Sequence, residues 1–464
     1  MKPIKLKEIR DLIQGELIQG EESWFIKAAV ELNRHKIRVR KTLIFVGRHQ
    51  QIDWDVLKRV EPCAIITDKR DEELKGASEK VTIIRVEKIR DAFWKFVNYY
   101  RNQFDIPIVA ITGTCGKTTT REMITHILEQ SHQVKKTVKN LNEPRRSFIY
   151  LLGIDDQIDV GVFETGLGNP GNLKYHCMIY RPTIGIITTI GIDHLEHCKT
   201  IDGYIQAKGE IIEGMDPDGV LILNGDNENI KKLPLNHFKG RVVYFGCNPK
   251  ADFKAENIRF SENGMEFTLC FEENKYPMSV PGYGDHQVYN ALAAVAAVYE
   301  IGIGLDEASR RLKTFTNMER HLEVFSGINE SQIIDDTWST NPTSIEAALK
   351  VLSSLGRNKE TLLLIGDIQQ LGVYEKKIHR QVGSLIAKEN VDILITVGPL
   401  AEEMANQGLM DGFKGKVFKF ENLERVKELL EELLNKNSLL LVKGSRLNKE
   451  MLQLAEELKV NKNQ

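Results

Sequence analysis

The sequence predicts an α/β protein organised as three domains, and three observations lead there. The chain has 464 residues, too many for one ordinary core. Short apolar runs alternate with helical periods along most of its length, the pattern of strands joined by helical crossovers. In the middle of the chain "IPIVAIT", "VGVFETG", "TIGIITTIG" and "GVLILNGD" are nearly continuous apolar runs, as strands of a parallel sheet buried on both faces are.

Residues 1–104 form the first predicted domain. Its strands are "KTLIFVG", "CAIITD" and "VTIIRV", separated by charged helical stretches, and it closes on the aromatic segment "DAFWKFVNYYRNQF", read as a linking helix. Residues 105–317 hold the four buried strands, then "GMEFTLCFEENKYPMSV", which alternates by twos like a hairpin, then the helix "HQVYNALAAVAAVYEIG". In residues 318–464 "SQIIDD", "TLLLIGD", "DILITVG" and "SLLLVKGS" each lead into a helical period, which predicts a doubly wound open sheet with right-handed crossovers. Such sheets carry their chemistry at the carboxyl ends of the strands.

Composition narrows the function classes. Hydrophobic residues make up 42%, and Lys+Arg 63 against Asp+Glu 65 leaves a net charge of −2, so no overall field recruits nucleic acid or a membrane surface. The six cysteines are scattered without a C-x-x-C pair, which fits reduced thiols rather than disulfides or structural zinc. Apolar stretches stay short of the roughly 18 residues a membrane span needs. These features predict a cytoplasmic protein and disfavour a nucleic-acid role; they leave its oligomeric state open.

The chemistry starts at "VAITGTCGKTTTREMITHIL", Val109 to Leu128. Gly113 and Gly116 let backbone N–H groups converge around Thr114 and Cys115, Lys117 supplies a cation, and Thr118 supplies a hydroxyl for Mg²⁺, with Thr119 following. A strand precedes this loop and a helix follows, so the helix N-terminus becomes an anion site. The spacing G-x-x-G-K-T is two residues shorter than the usual Walker A. Cys115 occupies a variable slot and reads as incidental. A nucleoside triphosphate also needs a carboxylate for its metal at the end of a neighbouring strand, and "VGVFETG" places Glu164 there. A second cluster follows "TIGIDHLEH": His194 is either a metal ligand or the partner of a backbone carbonyl, and Lys208, on a helix starting near Thr200, reads by itself as solvated.

The ordered motifs "AITGTCGKTTT", "VFETG", "TIGIDHLE", "AKGE", "GDHQVYNALAA", "IIDDTWSTNPTS", "LIGDIQQLG" and "LVKGSR" resemble those of the Mur ligases over roughly three quarters of the chain. Within that family the pattern is most similar to members that join D-alanyl-D-alanine to a UDP-N-acetylmuramoyl-tripeptide. The resemblance implies an N-terminal substrate-binding domain, a central parallel-sheet P-loop ATPase domain and a C-terminal Rossmann-like domain. It also implies an ATP-dependent ligase that phosphorylates a substrate carboxylate and lets an amine displace the phosphate. It assigns the β- and γ-phosphates to the loop, a second metal site to His194 and a carbamylated lysine to Lys208. Asn290 is assigned to the adenine edge, Arg320 to the γ-phosphate, Asp336 to the ribose or the linker, and Lys443 and Ser445 to the docking of the incoming amine. Thr118 and Thr119 separate the loop from the folate-type Gly-Lys-Gly-Ser.

The chain departs from the family in three places. Trp338-Ser339-Thr340 precede Asn341-Pro342 where Tyr-Asn-Ala is usual, altering a loop of the nucleotide and amine sites that includes Asn341. Arg145 and Arg146 replace a small turn near the acyl-substrate path, where they could hold carboxylates or phosphates or face solvent. The first domain lacks the Asp-Gly-His and Asp-Ser-Arg elements expected of a UDP-sugar-peptide site. The sequence therefore also accommodates a paralogue joining a different carboxylate and amine, or a nucleotide-binding regulator without chemistry.

Overall fold

The computed structural model describes residues 1–32 and 35–460. The fold is α/β, with most strands in three sheets drawn from successive parts of the chain. The first sheet runs Glu16–Gln19, Val81–Arg85, Cys63–Thr67, Thr42–Val46, Ala28–Glu31, with only the Glu16–Gln19 edge antiparallel. Thr42–Val46 and Cys63–Thr67 are wholly buried, which is why they read clearly as strands. The edge strands Glu16–Gln19 and Ala28–Glu31 are shorter and less apolar, and the pattern does not announce them.

The central sheet has nine strands. Its parallel part orders Val134–Lys136, Val160–Glu164, Ile108–Thr112, Ile184–Ile187, Val220–Asn224, Arg241–Gly246 and Phe253–Ser261. Gly264–Phe271 and Asn274–Pro281 extend it as the expected antiparallel hairpin. Ile108–Thr112 lies between two neighbours, third from one edge, and is buried throughout, so the loop that follows it opens inside the sheet rather than at its rim. One face packs on helices Lys117–Leu128, Asp285–Glu300 and Leu305–Leu312. The third sheet is Glu323–Ser326, Gln332–Asp336, Ser438–Lys443, Glu360–Gly366, Ile393–Val397, Lys416–Phe420, parallel except at its first pair. It has six strands where the sequence predicts four. Lys416–Phe420, "KVFKF", carries two lysines and is at best half-buried, and Glu323–Ser326 is likewise peripheral.

The central and third sheets are joined through residues 318–322, where Arg320 (φ 61°) and Leu322 (φ 52°) adopt the left-handed conformation. No helix among the described residues is long and apolar enough to cross a membrane, and all six cysteines are free.

The first sheet and the central one share a core. The linking helix Ile89–Arg101 buries Phe93, Phe96 and Tyr100; Phe93 and Phe96 each meet both Phe45 and Phe148, with ring centroids of Phe148 and Phe93 5.0 Å apart. Phe148 comes from helix Pro144–Leu152, so one aromatic ring spans the junction. Beside it Phe163 stacks on Tyr180 at 4.3 Å, and buried His176 meets the Ser147 hydroxyl through Nδ1 at 2.6 Å. Burial pushes His176 down from 6.5 to about 4.

Phe148→Ala should lower the unfolding free energy by about 3–5 kcal/mol, read from urea denaturation, because the cavity opens where both cores meet. His176 generates a pH prediction. Its side chain takes up a proton at about pH 6.5 when unfolded and stays neutral to about 4 when folded, so protons favour unfolding in that window. Stability should fall by roughly 3 kcal/mol through this group as pH drops from 6.5 to 4. In His176→Gln that part of the slope should be absent.

Candidate functional site

The phosphate-binding candidate is built from backbone that tolerates no side chain at two points. Gly113 (φ 147°) would place a Cβ 2.0 Å from Thr188 Oγ1, and Gly116 (φ 83°) would place one 2.2 Å from Asn290 Oδ1. Glycine at both lets the loop lie against Thr188 and Asn290 while Thr114 N–H donates to Thr189 O at 2.8 Å. Lys117 opens the following helix and folds over the loop, its Nζ donating to Gly113 O at 2.9 Å and Thr114 O at 3.0 Å. Thr119 and Thr120 are buried, and Thr120 N–H donates to Gly116 O, which starts the helix ladder.

Glu164 ends its strand opposite Ile111 of the loop-bearing strand and is only 2% exposed. Oε2 accepts from the Thr118 hydroxyl at 2.9 Å and from an Arg121 NH1 at 3.0 Å; Oε1 accepts from Asn142 Nδ2 at 2.6 Å. Arg121, 1% exposed, also reaches Lys139 O and Glu122. Sequence reasoning passed over Arg121, although its place three residues after Thr118 puts the two on one helix face. A hydroxyl and a carboxylate side by side are hard oxygen donors and fit Mg²⁺. Among the described residues no three His, Cys, Asp or Glu converge as a ready metal cluster. A cation between Thr118 and Glu164 therefore needs oxygens from phosphate or water to complete its shell.

His194 and Lys208 line the same cleft as the loop. His194 has left-handed backbone (φ 50°), its Nδ1 is buried without a partner, and its Nε2 lies 3.8 Å from Asp193 Oδ2. Burial lowers its pKa, with Asp193 opposing. Lys208 is 1% exposed; Nζ donates to Gly113 O at 2.9 Å and Thr112 Oγ1 at 3.3 Å and lies 5.3 Å from the Tyr204 ring centroid. Burial first, then the Lys117 cation, holds it well below an ordinary lysine. The solvated reading of this lysine taken alone is thus corrected: its helix faces the core, not water.

The opposite wall comes from the third sheet. Asp336 Oδ2 accepts from Lys443 Nζ at 2.6 Å, and the same ammonium donates to Ser339 O at 2.7 Å. Lys443 is the last residue of its strand and 0% exposed, so it is sealed by these partners and is no free docking group, contrary to the expectation for it. Asp336, Asn341 and Ser445 do line the cleft. Asn341 caps helix Pro342–Leu355, its Oδ1 accepting from Ser344 N–H at 2.9 Å and from the Cys115 thiol at 3.3 Å. Cys115 is therefore the contact between the phosphate loop and the third sheet rather than an incidental residue. Asn290 lies beneath Gly116 and lines the cleft as well. Arg320, Arg145 and Arg146 stand outside the cleft walls. Arg320 sits in the connection with its guanidinium 3.7 Å from Glu456, and Glu143 draws Arg145 (3.9 Å) and Arg146 (3.1 Å) to itself. The cleft encloses about 1120 Å³, space for a nucleotide and further groups.

Comparison with known proteins matches residues 111–298 to the Mur ligase middle domain and residues 320–446 to the Mur ligase glutamate ligase domain. The UDP-N-acetylmuramoyl-tripeptide–D-alanyl-D-alanine ligase of Haemophilus influenzae is 30% identical over 462 residues, covering 96% of each chain. The ligase of the same description from Bacillus subtilis is 26% identical, covering 95% of each. The crystal structure of MurF from Acinetobacter baumannii has the same fold, with a TM-score of 0.82, 24% identity and 99% of each chain covered. This chain belongs to the Mur ligase family.

The buried Glu164 carboxylate generates the prediction for this site. Arg121→Met should leave it without its guanidinium and lower the unfolding free energy by about 3–5 kcal/mol, measured by chemical denaturation. Arg121→Lys, which keeps a cation there, should recover most of that loss.

Proposed function

We propose that this chain is an ATP-dependent ligase that joins D-alanyl-D-alanine to UDP-N-acetylmuramoyl-tripeptide, releasing ADP and phosphate. The observation that carries this reading is the meeting of Lys117, the Thr118–Glu164 pair and buried Lys208 around one loop, in a chain alignable end to end with ligases of that description. In this reading residues 1–104 receive the acyl substrate, 105–317 hold ATP, and 318–464 bring the amine. The reaction belongs to the cytoplasm, where ATP and nucleotide-linked precursors are supplied.

The chemistry follows from the residues. Phosphoryl transfer requires positioning and charge neutralisation more than covalent help from the protein. The loop N–H groups and Lys117 hold the β- and γ-phosphates of ATP, and the substrate carboxylate attacks the γ-phosphorus to give an acyl phosphate and ADP. The amine then attacks the acyl carbon, loses a proton, and expels phosphate as the amide forms. Thr118 and Glu164 would hold Mg²⁺, which neutralises phosphate charge when bound. His194, with its unpartnered buried Nδ1, is available to a second cation. Lys208 reaches carbamate by adding its neutral amine to CO₂ with loss of a proton, and its burial keeps the amine neutral at lower pH than an exposed lysine allows. The carbamate would put a negative charge where the lysine side chain otherwise carries a positive one, and with His194 it would serve as a ligand for a second cation.

The departures at Trp338–Thr340 and in the first domain favour, as the second reading, a family member with another carboxylate and amine. A coupled ADP-release assay separates the two. With UDP-N-acetylmuramoyl-tripeptide and D-alanyl-D-alanine, ADP should form only when both are present, and mass spectrometry should find the pentapeptide product. Turnover with a different pair and none with this one would establish the second reading, and ATP binding without turnover across a broad substrate panel the regulator. Lys208→Ala should lower the rate on the order of 100-fold or more, and ¹³C-bicarbonate should give a carbamate signal in the parent protein alone.

A further inference from the structure

Four lysine or arginine side chains line the cleft among the described residues: Lys117, Lys208, Lys350 and Arg446. Three are already engaged. Lys117 and Lys208 donate to carbonyls of the phosphate loop, and Lys350 pairs with Glu346 on its own helix at 2.8 Å. Arg446 has no side-chain partner among the described residues, while its backbone is fixed, its N–H donating to Trp338 O at 3.1 Å. The same turn is closed by Asn448 N–H on Ser445 O at 2.8 Å, so the free guanidinium stands on an ordered base. With Lys443 sealed against Asp336, Arg446 is the cation this end of the third sheet offers to a ligand. Beside it on the cleft wall are Trp338 and Leu447, the latter 59% exposed. An unpaired guanidinium flanked by exposed apolar surface matches a small ligand that carries a carboxylate and short apolar side chains. A guanidinium takes both oxygens of a carboxylate in parallel, which a lysine at the same place cannot do.

We infer that Arg446 binds the terminal carboxylate of the incoming amine substrate and is a specificity-determining residue for it. The assignment rests on the ligase reading above. Trp338 and Leu447 then cover the short side chains, and the amino end of the dipeptide is left free to turn towards the phosphate loop, which meets this wall at Cys115 and Asn341.

The test pairs two substrates with two variants in the full-length enzyme. D-alanyl-D-alanine and its C-terminal amide are compared in the parent, Arg446→Gln and Arg446→Lys, following kcat/KM by ADP release and product mass. The parent should prefer the acid over the amide by about 10–100-fold, the range for a hydrogen bond to a charged group. Arg446→Gln should lose that preference through a raised KM for the acid, with the KM for ATP unchanged, and Arg446→Lys should restore part of it. Equal loss on acid and amide, a retained preference for the acid, or a change confined to the KM for ATP would each overturn the assignment. Failure of the parent to turn over either dipeptide would instead overturn the ligase reading, and this assignment with it.

Discussion

A carboxylate buried in a protein must be paired and hydrogen-bonded, and the site is arranged around meeting that demand for Glu164. Its two oxygens draw in Thr118 and Arg121 from the phosphate-loop helix and Asn142 from the connection after Val134–Lys136. Three separate segments are thereby held at one point. The pairing of Glu164 with Ile111 fixes the height at which the carboxylate emerges beside the loop. Arg121 answers the carboxylate from within the protein, at 3.0 Å, with no cation required. Thr118 is shared between this internal arrangement and the metal it is suited to hold.

The cleft exists because two sheets approach closely enough for backbone to touch side chain. A Cβ on Gly191 would stand 2.0 Å from Thr343 Oγ1, and one on Gly372 would stand 3.2 Å from the Glu196 Cα. With the Cys115–Asn341 contact, these approaches seat the third sheet on the rim of the phosphate loop. The first sheet is attached differently, through a continuous aromatic core around Phe148. Small-residue contacts on one side and interlocked rings on the other give the two junctions different resistance to opening.

The sequence disclosed what is local and periodic. Buried strands such as Ile108–Thr112 are apolar without interruption, and the loop glycines sit next to the helix they serve, so both were legible. Strands at sheet edges, "KVFKF" above all, mix charge into their pattern and went unread. Side chains whose meaning depends on a distant partner were the hardest. Lys443 finds Asp336 across 107 residues, and without that partner it looks like a free cation at a strand end. Lys208 taken alone reads as solvated, and only the family resemblance singles it out, because its partner, the Gly113 carbonyl, lies 95 residues away. Arg121 could have been found from its spacing to Thr118, but an arginine on a helix ordinarily signals surface.

The connection at residues 318–322 carries a consequence of its own. Left-handed backbone costs an L-residue roughly 1–2 kcal/mol, and two such residues, Arg320 and Leu322, occur within three positions, the first braced by its N–H on Glu323 Oε2 at 3.1 Å. A slack tether would have no use for that expense. The segment is a bent elbow with preferred dihedral angles where the central sheet hands the chain to the third. Where the two halves of the cleft meet is thus set in part by a few dihedral angles at its own wall, where Leu322 is a lining residue.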